Sequence, residues 1–105
     1  MAVSAKTLYR GAASLTTTTT LYTVPTTSTT TVVTNIVVTN TSGSSQTFTI
    51  TLDGTDMFTT TALAANSTAF FDLKQVLAAN ATPKTIKGGA SATSVNIHVS
   101  GVEVA

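Results

Sequence analysis

The chain has 105 residues, of which 9% are charged, and a formal net charge of +1. That length makes one domain, burying roughly two-thirds of the surface its unfolded chain exposes, and so sparse a charge gives no electrostatic grip on nucleic acid or acidic lipid. Cysteine is absent, which excludes disulfide staples and thiolate metal sites and leaves stability to packing.

In chain order, residues 1–6 read as a short polar lead ahead of a single domain over residues 7–105. Thr7-Leu8-Tyr9-Arg10 reads as a first, edge-like strand stopped by Gly11. The low-complexity run Thr16–Thr20 reads as a linker feeding the strand Leu21-Tyr22-Thr23-Val24, which Pro25 ends because proline has no N–H for a ladder. A turn is expected over Thr26-Thr27-Ser28. The stretch Thr29–Leu52 then reads as a β-hairpin. Its first arm, Thr31–Thr39, is almost wholly β-branched, which suits a pleated surface and crowds a helix. Its second arm alternates Phe48, Ile50 and Leu52 with Thr47, Thr49 and Thr51, the period-2 pattern of a half-buried strand. Thr41-Ser42-Gly43-Ser44-Ser45 supplies the turn between them.

Asp53-Gly54 suits the positive φ angles of a two-residue hairpin loop, so another strand is expected after it. Asn66-Ser67 marks a further turn, and Thr68–Leu73 a strand in which one of Phe70 and Phe71 must point away from the core. Leu73, Val76 and Leu77 fall at i, i+3 and i+4, which predicts a short helical turn near residues 73–79. Pro83 and Gly88-Gly89 bracket a short strand around Thr85-Ile86-Lys87. In Ser94–Ala105, Val95, Ile97 and Val99 alternate with polar residues, and the shift of the apolar pair to Val102 and Val104 predicts a β-bulge at Gly101. Threonine makes up about a quarter of the chain and acts here as a strand residue. Seven or eight strands with one helical turn predict an all-β, single-domain antiparallel β-sandwich of jelly-roll or immunoglobulin-like type.

Residues suited to chemistry are few. His98 is the single histidine, placed on a strand with no neighbouring carboxylate in sequence, so no catalytic triad is expected around it. Asp53 and Asp56 are the one close acidic pair, and the hairpin turn accounts for them better than a cation does. Lys6, Arg10, Lys74, Lys84 and Lys87 are scattered and form no basic patch. Asn40-Thr41-Ser42, Asn66-Ser67-Thr68 and Asn80-Ala81-Thr82 match the glycosylation sequon, as chance allows in a threonine-rich chain. The N-terminal residues carry no apolar run of signal-peptide length and no segment is long enough for a membrane helix, so a soluble chain made in the cytoplasm is expected. Catalytic residues, metal sites and cofactors are not expected. A surplus of apolar positions is: Val33 and Val37 oppose Ile36 and Val38 in face, and Phe71 opposes Phe70. This marks Val33, Val37 and Phe71 as a candidate protein–protein interface.

Leu8-Tyr9-Arg10-Gly11, Leu21-Tyr22-Thr23-Val24-Pro25, the run Val32–Thr41, Asp53-Gly54, Ala64-Ala65-Asn66-Ser67 and Asp72-Leu73-Lys74-Gln75-Val76-Leu77 stand in an order and spacing that covers nearly the whole chain. In these motifs the chain resembles small virion proteins of tailed bacteriophages. It departs from them at Thr26-Thr27-Ser28, where the family usually has a small residue and a glycine after Val-Pro. The resemblance implies a non-enzymatic β-sandwich present in many copies on the virion. The leading expectation is a capsid decoration or cement protein on the particle's outer surface, made in the host cytoplasm. Its partners would be copies of itself and the major capsid or tail protein, with no nucleic acid, membrane or small-molecule substrate. A tail or baseplate accessory protein is the alternative within the class, and a receptor- or glycan-binding module at a fibre tip the alternative outside it.

Overall fold

The computed structural model describes residues 3–27 and 29–105. They form eight strands and no helix: β1 (Val3–Ala12), β2 (Thr20–Thr23), β3 (Thr30–Asn40), β4 (Gln46–Leu52), β5 (Thr55–Leu63), β6 (Thr68–Leu77), β7 (Thr85–Ala90) and β8 (Val95–Val104). The first sheet has the order β1-β8-β3-β6 and the second β2-β7-β4-β5, with every pair antiparallel. The pairs β1–β8, β2–β7, β3–β6 and β4–β5 are those of one long ribbon folded back at the β4–β5 turn. The added pairs β3–β8 and β4–β7 roll that ribbon into an eight-stranded jelly roll. The fold-back is Asp53-Gly54, with φ of 53° and 76°, the two positive angles that a type I′ loop requires.

Alternation along the strands builds the core between the sheets. Phe48, Ile50 and Leu52 of β4 and Val95, Ile97 and Val99 of β8 are buried together with Leu8, Leu21, Val24, Ile36, Val38, Leu63 and Ile86. Phe48 sits among aromatic neighbours, 5.5 Å from the Phe58 ring and 6.2 Å from Phe71, which is itself 4.4 Å from Phe58. These tilted contacts add to area burial.

Several expectations change. The arms of the expected hairpin, β3 and β4, do not pair with each other: they lie in opposite sheets, and the Thr41–Ser45 segment arches between the layers. The fully buried Asn40 amide holds this arch. Its Nδ2 donates to the Ser44, Leu63 and Ala64 carbonyls, and its Oδ1 accepts from the Ser42 N–H and hydroxyl. The helical turn near residues 73–79 is absent, because β6 continues as a strand through Leu77 along β3. Leu73 and Leu77 face inward and Val76 outward, so their apolar spacing serves two faces of a strand. The lead is also shorter than expected: Val3–Lys6 belong to β1, paired with β8, while Met1 and Ala2 lie outside the described residues. The turn expected over Thr26–Ser28 ends on Ser28, likewise outside them. Strand β7 runs through Gly88-Gly89 instead of stopping there. A Cβ on Gly88 would come 2.7 Å from the Thr49 carbonyl oxygen, and one on Gly89 2.6 Å from those of Ser14 and Thr16, so these glycines admit neighbouring backbone.

The bulge expected in β8 at Gly101 lies instead on its neighbours. Between Val99 and Gly101 strand β8 is regular, whereas β1 holds an extra residue at Leu8 and β3 one at Thr34. Strand β6 gains one more relative to β3. The irregularities line up across the sheet and bend it. Gly101 stands on this line because a Cβ there would overlap the Val32 carbonyl oxygen.

Two substitutions test this core. Phe48→Ala is expected to destabilise the domain by about 3–5 kcal/mol in denaturant unfolding, since the ring is fully enclosed. Asn40→Ala is expected to cost about 2–3 kcal/mol by stranding the carbonyls its amide serves, and Asn40→Asp to be no milder, because it lacks the donors. A variant unfolding at the wild-type midpoint would refute the role given to that residue.

Candidate functional site: the outer face of the first sheet

The bend decides where the surplus apolar residues go. In β3 the extra residue at Thr34 reverses the alternation, so Val33, Ile36 and Val38 all face inward and are fully buried. Val33 is therefore core and no part of an interface. Phe71 is corrected in the same way: it packs against Phe48 and Phe58, and its neighbour Phe70 is the exposed one, at 73%. Val37 remains half-buried on the outer face, between Phe70 on β6 and His98 on β8.

Because β8 keeps its alternation, Val102 and Val104 point outward. Val102 lies between Ala5 of β1 and Val32 of β3, and Val32 is next to Val76 of β6. This is an apolar row across all four strands. Val3 and Val104 extend it toward the sheet's end, with Val3 exposed at 64% and Val76 at 59%. Beyond the row the bend carries a polar band of Thr7, Ser100, Thr34, Asn35 and Asp72, in which the Asn35 amide donates to Asp72 at 3.3 Å. A shallow depression of about 410 Å³ opens there, lined by Ala5, Thr7, Thr34, Ser100 and Val102. The next row is Arg10, His98, Val37 and Phe70.

The second sheet presents the opposite chemistry. Its outward positions on β4 are Thr47, Thr49 and Thr51, and Thr51 lies between Lys87 of β7 and Asp56 of β5. The outer side of Gly89 is covered by the Ser14–Thr16 segment. An apolar row, exposed at Ala5 and Val76 and half-buried at Val102 and Val32, thus crosses every strand of the first sheet on its outer side.

The concentration of ionisable groups at the open end of the sandwich is a tie between strands. Glu103 of β8 accepts from Lys6 of β1 at 3.0 Å and from the Tyr22 hydroxyl of β2. The Lys6 ammonium also lies 5.5 Å from the Tyr22 ring centroid. Thr31, paired with Glu103, is fully buried, and its hydroxyl finds no partner of good geometry. The Tyr22 hydrogen bond, then Lys6, hold the Glu103 carboxyl below its ordinary range. Partial burial, then Glu103, push the Tyr22 phenol up, and the Glu103 contact raises Lys6. Lys6 neutralises the carboxylate, so the cluster is a closure linking the two sheets. Among the described residues no three His, Asp or Glu side chains gather as metal ligands would. Asp53 is a turn residue whose carboxylate faces Lys84 at 3.8 Å.

These directions fix the pH dependence. A carboxyl lowered by folding stabilises above its unfolded pKa and loses that contribution as pH falls through the folded value. A raised phenol and ammonium stabilise below their unfolded values and lose it as pH rises through the folded ones. Thermal unfolding is therefore expected to show a plateau from about pH 5 to 9.5, with Glu103→Gln flattening the acid limb. An acid limb unchanged in that variant would refute the assignment.

No protein-family model, curated protein or solved structure matches this chain, so what the outer face does rests on its chemistry.

Proposed function

We propose that this chain is a structural protein that acts by contact alone, an accessory protein of a tailed-phage virion that decorates the outside of the capsid in many copies. The observation that carries the reading is the apolar row Ala5–Val102–Val32–Val76 on the outer face of the first sheet. A domain with 9% charged residues that works alone in water has no use for such a row, whereas a component of a crowded assembly covers it. The motif resemblance to small virion proteins supplies the setting. The aromatic side chains argue against a sugar-binding platform, since Phe48, Phe58 and Phe71 pack on one another and Phe70 stands apart from them.

The test is where the protein sits and which residues hold it there. Antibody labelling of purified particles is expected to mark the head in many copies. Val76→Lys is expected to lower occupancy on undecorated particles at least about tenfold, as when an anchoring apolar residue of a contact is replaced by a charge, while the melting temperature of the isolated protein stays unchanged. Label confined to the tail would replace decoration by a tail-accessory role, and unchanged occupancy of the variant would remove the face from the contact.

A further inference from the structure

The occupant of the apolar face can be named from its size and from the placement of its charges. Four strands about 4.8 Å apart and ten residues long at about 3.3 Å per residue span roughly 600 Å². A standard interface takes about 800 Å² from each partner, roughly a tenth of a small protein's surface, and this molecule exposes 5283 Å². Only the whole face reaches the lower limit of that class, about 600 Å² per partner, so a stable contact has to engage all of it, including the row of Arg10, His98, Val37 and Phe70. The charges of that region lie at opposite edges: Arg10 on β1, Asp72 and Lys74 on β6.

We propose that the face is covered by the same face of a second copy, and that the unit joining the particle is a dimer of sandwiches packed first sheet to first sheet. A two-fold axis between the faces and along the strands brings β1 of one copy over β6 of the other with the rows in register. Ala5 then meets Val76 and Val102 meets Val32, which continues the apolar row on both sides. In the same superposition Arg10 comes over Phe70 and beside Asp72 of the second copy, a cation above an aromatic face with an opposite charge next to it. The arrangement is isologous, each copy giving and receiving the same contact. A net charge of +1 per chain leaves little repulsion between copies.

The inference rests on the reading of this face as an interface but is tested apart from the particle, by sedimentation equilibrium of the full-length protein. Wild type is expected to reach twice its 10.7 kDa mass. Val76→Lys, at an exposed position where folding is not at stake, is expected to raise the dimer Kd at least about tenfold. Arg10→Asp and Asp72→Arg are each expected to weaken the dimer, and the double variant to recover it, because the swapped charges meet again across the two-fold axis. A wild type that stays monomeric at about 100 µM, or a double variant no better than its singles, overturns the inference. A monomer whose Val76→Lys form loses particle occupancy means that a coat protein covers the face, so the dimer falls and the structural function stands. A dimer absent from particles sinks the function and leaves the dimer.

Discussion

The alternation of β8 passes through Gly101 without a break, and the rest of the structure is arranged around that. Val95, Ile97, Val99, Gly101 and Glu103 all point between the sheets, so the inner side of one central strand runs from core hydrophobe to backbone contact to ion pair. Its neighbours β1 and β3 absorb the bend by adding a residue each. The missing Cβ of Gly101 lets the Val32 backbone approach on one side, and the shared inner face lets Leu8 come down on the other. A bulge in β8 itself would have turned Val102 and Val104 inward and left Glu103 on the surface.

That single choice of parity separates the three regions of the molecule. At one level the interior is apolar and holds the Phe48 cluster. At the open end it becomes polar, where Lys6, Tyr22 and Glu103 link β1, β2 and β8 and so connect both sheets near the chain termini. Outside, the first sheet carries valines and the second carries threonines. Val and Thr are nearly the same shape and both favour strands, so the two faces cost the backbone about the same and differ in what they present to water. A domain can therefore place an apolar face and a hydroxyl-rich face on the same scaffold.

The jelly roll also sets what such a face can do. Both edges of the first sheet, β1 and β6, are ten residues long, so the face between them is broad and shallow, with a slight depression on the bend. A surface of this kind suits another broad surface and gives little enclosure to a small molecule, which needs a concave pocket with convergent polar groups. The proposed role rests on that shape and on the apolar row that crosses the face.

Local patterns in the sequence were enough for the all-β class, for the Asp53-Gly54 turn, for strict alternation in β4 and the first half of β8, and for the presence of more apolar side chains than one core holds. Each of these depends on neighbours within a few residues. Which strands pair was not local: the Thr41–Ser45 turn between β3 and β4 looks the same whether it closes a hairpin or arches between layers, and the buried Asn40 amide that holds the arch bonds the Leu63 and Ala64 carbonyls, more than twenty residues away. The inward placement of Val33 and Phe71 has a related reason: alternation along one strand does not show the extra residue at Thr34 until β3 is laid against β8, and the choice between Phe70 and Phe71 depends on which side Phe48 occupies. A period of two tells that a strand has two faces; the packing of one sheet on the other tells which of them meets water.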